Sequence, residues 1–184
     1  TETWRHTTTG TVYPTAPGVI GTPPDPQEYV FHNAGQREIM TDLATLNDFG
    51  KSRNPNFKLL LTVSPVPLTA TATGGHVLPA STYSKAVLRS AAGEFCRAQD
   101  NVDYFPSFEV ITNAAAKGQF FEANQRSVKA SGVTRAMAMF FHAHGEDVAT
   151  TPAKSRAAPS LSDDGDNVLQ CEEVLLDPKT RGLT

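Results

Sequence analysis

The chain has 184 residues, a net charge of −3 and an isoelectric point of about 5.9. Its 39% apolar and 19% charged residues are typical of a globular protein, and its length suffices for one domain with a hydrophobic core. No basic stripe is available to neutralise phosphates, so nucleic-acid binding is not expected. No apolar run reaches the length of about 18 residues that a membrane-spanning helix needs.

The two cysteines, Cys96 and Cys171, lack the close spacing of metal-ligand pairs. We predict two free thiols, which fit a reducing, cytoplasmic location, and a disulfide between them stays as an alternative. Neither a metal nor a cofactor is predicted, because SDDGDN at 162–167 lacks the spacing of a calcium loop. TETWRHTTTG is no signal peptide, so either an upstream segment was removed or the chain begins inside a domain.

The first half of the chain predicts a helix followed by a strand. Residues 1–32 are rich in proline and show no helical period, and TGTVYPTAPG at 9–18 indicates a loop or an edge hairpin. Apolar residues at steps of three and four predict a helix over 33–52, capped by Asn33 and stopped by Gly50. FKLLLTV at 57–63 then predicts a strand that is buried on both faces.

The second half continues the alternation of helices and strands. A long loop over 64–80 precedes a helix over 81–98, with Ser81 as its N-cap. Residues 101–112 predict a short strand broken by a proline and followed by an extended segment. A third helix covers 130–144. This order of elements predicts an α/β layered sheet.

The composition divides the chain into three parts. Residues 1–144 form the predicted α/β domain. Residues 145–166 contain almost no apolar groups and predict a flexible linker. Residues 167–184 form a tail, in which 167–177 regain apolar side chains and could dock as a terminal helix.

Several stretches resemble a known family, the GSCFA-domain family, which is related to the SGNH hydrolases. The resemblance covers most of the predicted domain and corresponds to the C-terminal two-thirds of a GSCFA domain. Its most specific segments are TVSPVPL and YFPSFE followed by FFE. The matching stretches are TETW at 1–4, TGTVYPTAPG at 9–18, NPNFKLLLTVSPVPLTAT at 54–71, YSKAVLRSAAGEF at 83–95, VDYFPSFEVIT at 102–112, FFEANQRSV at 120–128 and CEEVLLD at 171–177.

The resemblance implies a three-layer α/β/α sandwich with a mostly parallel sheet, incomplete at its N-terminus. In the superfamily a serine attacks an ester, glycine and asparagine form the oxyanion hole, and a late Asp-x-x-His supplies the base. The Gly-Ser-Cys-Phe-Ala segment is absent here, and 124–127 reads Asn-Gln-Arg-Ser where some relatives resemble Asp-x-x-His. Because the Gly-Ser-Cys-Phe-Ala segment is absent, we expect the nucleophile to lie outside this chain. Neither Asn124 nor Ser127 can be the base, since neither titrates near neutral pH.

Three residues are candidates for catalysis. They are Glu2, His76 and Glu109. The resemblance implies that Glu2 lies near the acidic neighbour of the oxyanion asparagine, and that Thr1, a substrate-binding candidate, lies near that asparagine itself. His76 follows two glycines and could act as a general base, or it is a surface-loop histidine. Glu109 could form an ion pair with Arg126 or help to bind a carboxylate.

Ser64 ends the predicted strand, which is where a nucleophile elbow would lie. Pro65 follows it and lacks the N–H that an elbow lends to the oxyanion, so we expect Ser64 to hydrogen-bond at the edge where α/β sheets bind ligands. Lys85 lies near the predicted helix start, where the dipole disfavours a cation, and is either part of a site or a solvated lysine. The predicted substrate-binding residues are Thr1, Ser64, Asn124 and Arg126.

The sequence leaves open whether the protein is an enzyme. The first hypothesis is an SGNH-type ester hydrolase or acyl transferase that acts on a small-molecule or glycan ester. Its nucleophile would come from an upstream segment or from a second protein chain that completes the fold. The alternative is a non-catalytic binding or structural subunit of a larger assembly.

Overall fold

The computed structural model describes residues 1–15, 25 and 27–145, which form a mixed α/β fold as predicted. The elements in chain order are β1 (Glu2–His6), β2 (Val12–Tyr13), β3 (Tyr29–Asn33), α1 (Gln36–Arg53), β4 (Leu59–Leu61), α2 (Val77–Ala98), β5 (Val102–Tyr104), α3 (Ser107–Thr112), a 3-10 turn (Ala114–Ala116) and α4 (Ala130–Ala143).

The N-terminal strands form an antiparallel sheet in the order β2-β1-β3. Trp4 pairs with Tyr13 on one side and with Phe31 on the other. The rings of Trp4 and Phe31 meet edge to face, with their centroids 5.6 Å apart. Of the stretch at 9–18 that was predicted as a loop or an edge hairpin, Val12–Tyr13 form β2 at the edge of this sheet, and their partner β1 is its central strand.

The other sheet is the parallel pair β4–β5, in which Leu59 lies opposite Val102. The predicted strand at 57–63 is confirmed but is shorter, and its two-sided burial is wrong. Leu60 is 43% exposed, whereas Leu59 and Leu61 on the opposite face are half-buried. Parallel pairing does not predominate among the described strands, since both other ladders are antiparallel.

The core is built mainly by one face of α2. Ala91 is fully buried and Phe95 is 3% exposed. The buried positions recur at steps of three and four residues, which places them on one side of the helix. They are Ala80, Ser81, Ser84, Val87, Ala91, Ala92 and Phe95.

The predicted bounds of α1 are wrong at both ends. Asn33 does not cap the helix, because it is the last residue of β3 and pairs with Glu2. The helix begins after Gly35, whose backbone N–H donates to Glu38 Oε2 at 3.0 Å. It also continues through Gly50, which gives space to the ring of Phe57. A Cβ at Gly50 would lie 2.5 Å from that ring.

The start of α2 is four residues earlier than predicted. His76 is its N-cap and accepts the backbone N–H of Leu78 at 3.2 Å. Ser81 lies inside the helix, where its buried hydroxyl accepts the N–H of Leu68 at 3.2 Å. The predicted loop over 64–80 therefore ends at His76.

The segment after β5 is helical, and the predicted extended conformation is wrong. Pro106 occupies the N-cap position of α3, and proline suits a helix start because its missing N–H would have no intrahelical partner there. The sequence pattern of α4 predicts an apolar stripe that includes Val133, Ala136 and Met137; Ala136 is buried as predicted, but Val133 and Met137 are exposed. Gly132 allows close packing, because a Cβ there would lie 3.0 Å from the Cβ of Phe120.

Some predictions fall on residues outside the described ranges. These are most of the linker at 145–166, the tail at 167–184 and Cys171. Cys96 is a free thiol. None of the described helices is both long enough and apolar enough to cross a membrane.

We predict that Gly50→Ala lowers the free energy of unfolding. The new Cβ would overlap the Phe57 ring, and such overpacking costs about 1–3 kcal/mol, which exceeds the helix-propensity gain of about 0.5–1 kcal/mol. Urea denaturation measures the change. Thr45→Ala, at an exposed position of the same helix, is the control and should leave stability unchanged or slightly higher. Equal stability of the wild type and Gly50→Ala would contradict the packing described here.

Candidate functional site

A groove of about 730 Å³ lies beside the carboxyl ends of β4 and β5. Its walls come from the loop after β4, from α2, from α3 and from the segment after the 3-10 turn. The lining residues are Pro65, Pro67, Ser81, Thr82, Lys85, Ala86, Arg89, Ser90, Gly93, Arg97, Phe108, Thr112, Phe121 and Gln125.

The loop after β4 is held in place by serine hydroxyls. Ser64 Oγ accepts the N–H of Val66 at 3.2 Å, so Ser64 stabilises its own turn. Ser81 Oγ fixes the same loop to α2 through Leu68. Pro65 and Pro67 thereby face the groove and give this wall a rigid backbone.

The α2 wall carries three cations at regular spacing. Lys85, Arg89 and Arg97 lie four and eight residues apart, so they share one side of the helix. Gly93 occupies the remaining position of this row. A Cβ there would lie 2.6 Å from Arg89 Nη1 and 4.0 Å from Arg97 Nη1. The two guanidinium groups therefore reach the same part of the groove.

Arg89 is fixed by a cluster of polar and aromatic groups. Its Nε–H donates to Glu109 Oε1. The hydroxyl of Tyr104 donates to Glu109 Oε2 at 2.9 Å, and the Arg89 guanidinium lies 4.1 Å from the centroid of the Tyr104 ring. The cluster joins α2, β5 and α3 and holds Arg89 at the groove.

The contacts within this cluster shift the pKa values of Glu109, Tyr104 and Arg89. Burial alone would raise the pKa of Glu109, but hydrogen bonds from Arg89, its own backbone and Tyr104 outweigh it and lower the pKa. Burial, together with the hydrogen bond to Glu109, raises the pKa of Tyr104 to about 12. The hydrogen bond to Glu109 raises the pKa of Arg89. At neutral pH the cluster is a carboxylate, a guanidinium and a neutral phenol.

Lys85 is a half-buried cation without an acidic partner in the described ranges. Burial lowers its pKa. Since α2 begins at Val77, Lys85 lies in the third turn rather than at the helix start, so the helix dipole does not explain its position. Lys85 is one of the residues that line the groove.

The three predicted catalytic residues lie in separate hydrogen-bonded groups. The carboxylate of Glu2 accepts the Thr71 hydroxyl at 2.7 Å and the Ala72 N–H at 3.3 Å. His76 is exposed and caps α2, and Glu109 binds Arg89 rather than the expected Arg126. No hydrogen bond or ion pair found in the described residues joins any two of Glu2, His76 and Glu109.

The predicted substrate-binding residues lie around the groove rather than on its wall. The hydroxyl of Thr1 hydrogen-bonds Ser84, beside Lys85. Asn124 Oδ1 accepts the N–H groups of Arg126 and Ser127, each at 3.0 Å, and its Nδ2 donates to Ser127 Oγ at 3.1 Å. Asn124 and Ser127 therefore stabilise a turn. Nη2 of Arg126 is buried without a hydrogen-bond partner.

The sequence prediction missed Arg89, Gly93 and Arg97. A signal was available, because Lys85, Arg89 and Arg97 recur at multiples of four residues within a predicted helix, and such spacing places side chains on one face. The sequence alone could not predict which face of that helix borders a groove.

Two other features of the described part of the chain concern metal binding and a second groove. No group of three or more histidine, cysteine, aspartate or glutamate side chains is placed to hold a metal ion there. A second groove of about 570 Å³ lies at the β1–β2 turn and is lined by the segment from Arg5 to Gly10 and by Val30, Phe31 and His32.

Comparison with known proteins gives one result. A family model described as the GSCFA family matches residues 1–140, which is more than half of the chain. No curated protein and no solved structure shows significant similarity to the chain.

We predict that Arg89→Gln raises the pKa of Glu109. The guanidinium helps to hold that pKa below its ordinary value of 4.5, while burial pushes it upward. Because the folded-state pKa is lowered, the stabilisation is present above pH 4.5 and is lost as the pH falls through the folded-state pKa. Carboxyl ¹³C NMR titration measures the shift. Arg97→Gln, which removes a cation of the same row, should leave the Glu109 pKa unchanged. An unchanged Glu109 titration in Arg89→Gln would contradict the ion pair.

Proposed function

This chain belongs to the GSCFA family, and on that premise we propose that it forms the substrate-binding part of an SGNH-type ester hydrolase or acyl transferase. The substrate would be a small-molecule or glycan ester bound in the groove. We further propose that the described elements belong to a three-layer α/β/α sandwich with a mostly parallel sheet.

The observation that carries the proposal is the position of the groove. It lies beside the carboxyl ends of the two parallel strands, which is where open α/β sheets bind their ligands. Its lining combines aromatic rings with a few hydroxyl and charged groups, as in most small-molecule sites. The hydroxyls of Thr82 and Ser90 and the rings of Phe108 and Phe121 could contact a glycan and an acyl group.

The attacking group is proposed to come from outside this chain. In the described residues no serine or threonine hydroxyl is hydrogen-bonded to a histidine ring, as an activated nucleophile would be. The nucleophile would be supplied by an upstream segment or by a second protein chain that completes the fold.

The oxyanion donors are also expected to come from elsewhere. Acyl transfer needs N–H donors aimed at the developing negative charge. In the loop after β4, Pro65 and Pro67 have no N–H, and the N–H groups of Val66 and Leu68 are already bonded to Ser64 and Ser81. This loop is therefore suited to shape the groove rather than to stabilise the oxyanion.

A second candidate is a non-catalytic binding subunit. It is favoured by the turn at 124–127, where Asn124 and Ser127 hydrogen-bond each other in place of a titratable pair. Such a protein would keep the groove and bind a ligand without turning it over.

We predict that Ala86→Trp in the full-length gene product lowers the turnover of p-nitrophenyl acetate by at least about tenfold. Ala86 is exposed and lines the groove, so an indole there would fill the space for the ester. The release of p-nitrophenolate measures the rate.

The matched control is Ala138→Trp, at an exposed position of α4 that does not line the groove, which should keep wild-type turnover. Equal turnover in both variants would contradict the proposed site. No turnover by the wild-type full-length product would contradict the hydrolase proposal and favour the binding subunit.

A further inference from the structure

We propose that the groove binds an anionic ligand: a small-molecule or glycan ester that carries a phosphate or carboxylate group, held between Arg89 and Arg97 above Gly93. This inference rests on the proposed role of the groove as the substrate site and adds the charge of the substrate. It is tested by binding alone, so it does not depend on turnover.

The charge of the groove is opposite to that of the whole chain. The protein carries a net charge of −3, yet the described residues that line the groove include three cations and no aspartate or glutamate. Glu109, the acidic group nearest to these cations in the hydrogen-bond network, is bound to Arg89 Nε. Lys85 and Arg97 have no acidic partner in the ranges that the structure describes. A cleft lined by charges of one sign raises the local concentration of ligands that carry the opposite charge.

Gly93 gives the wall its geometry. Because Gly93 has no side chain, Arg89 Nη1 can lie only 2.6 Å from the position that a Cβ would occupy, and Arg97 Nη1 lies 4.0 Å from the same position. Two guanidinium groups that converge on one point suit an oxyanion, since guanidinium groups match the geometry of phosphate and carboxylate oxygens.

The cluster around Arg89 holds one of the two guanidinium groups in place. Glu109 uses Arg89 Nε, and Tyr104 lies under the guanidinium plane. The terminal nitrogens remain for a ligand. Holding the guanidinium in advance reduces the conformational entropy that binding would otherwise cost.

The rest of the groove suits the uncharged part of such a ligand. Phe108 and Phe121 supply apolar rings, and Ser90 and Thr112 supply hydroxyls. An ester that is charged at one end and has a sugar or aromatic body would use both kinds of contact.

The test is isothermal titration calorimetry of the full-length gene product with three matched probes. These are p-nitrophenyl phosphate, p-nitrophenyl β-D-glucuronide and the neutral p-nitrophenyl β-D-glucoside. We expect at least one anionic probe to bind about tenfold more tightly than the glucoside, and its affinity to fall as salt rises. Whether the phosphate or the glucuronide binds more tightly distinguishes the two sources of the anion.

Three variants locate the binding. Arg97→Gln should weaken the anionic probe about tenfold and leave the glucoside unchanged. Gly93→Ala should also weaken it, because the new Cβ displaces Arg89 Nη1 although alanine favours the helix. Arg135→Gln, on the exposed side of α4 and outside the groove, is the control and should bind like the wild type. Circular dichroism verifies that each variant is folded.

The outcomes separate the two proposals. Selective anion binding without ester turnover supports this inference and contradicts the hydrolase. Turnover of neutral esters without anion selectivity supports the hydrolase and overturns this inference. Binding of the glucoside as tight as that of the anionic probes, an equal loss in Arg135→Gln, or no binding of any probe at about 1 mM would also overturn it.

Discussion

The burial of one face of α2 is the constraint on which the rest of the structure depends. Ala91 and Phe95 on that face are almost completely removed from solvent, and burying a phenylalanine side chain contributes about 1.5–3 kcal/mol. This face fixes the rotation of the helix about its axis. Because that face is buried, Lys85, Arg89 and Arg97 lie outside it, along the border between core and solvent where the groove opens.

Polar side chains of α2 hydrogen-bond the neighbouring segments and so fix their positions relative to this helix. Ser81 fixes the loop after β4, and Ser84 binds Thr1 at the start of β1. Arg89 binds Glu109 of α3. These contacts bring the walls of the groove together at the carboxyl ends of β4 and β5. The groove is thus a consequence of how α2 is seated, and its positive lining is a consequence of which residues remain outside the core.

Much of the fold could be predicted from the sequence because α1, α2 and β4 have strong hydrophobic patterns. The hydrophobic patterns gave wrong predictions where tertiary contacts decide the local conformation. Gly50 looked like a helix stop, but its missing side chain makes room for the Phe57 ring. The FPSFE stretch looked extended, but Pro106 begins a helix. An ion pair of Glu109 was expected with Arg126, but the partner is Arg89, because that pairing depends on how α2 packs beside α3. The predicted roles in catalysis or substrate binding stay predictions for Thr1, Glu2, Ser64, His76, Glu109, Asn124 and Arg126.

The most direct test of the central claim is to map ligand contacts by ¹⁵N NMR. The amides of Ala86, Ser90 and Gly93 follow the groove side of α2, and those of Thr7, Thr8 and Thr9 follow the second groove. Titration with p-nitrophenyl β-D-glucuronide and with p-nitrophenyl phosphate should shift the first set with at least one of the two probes and leave the second set unchanged. Shifts confined to the β1–β2 turn, or no shift on α2 with either probe at about 1 mM, would contradict the assignment of this groove as the ligand site.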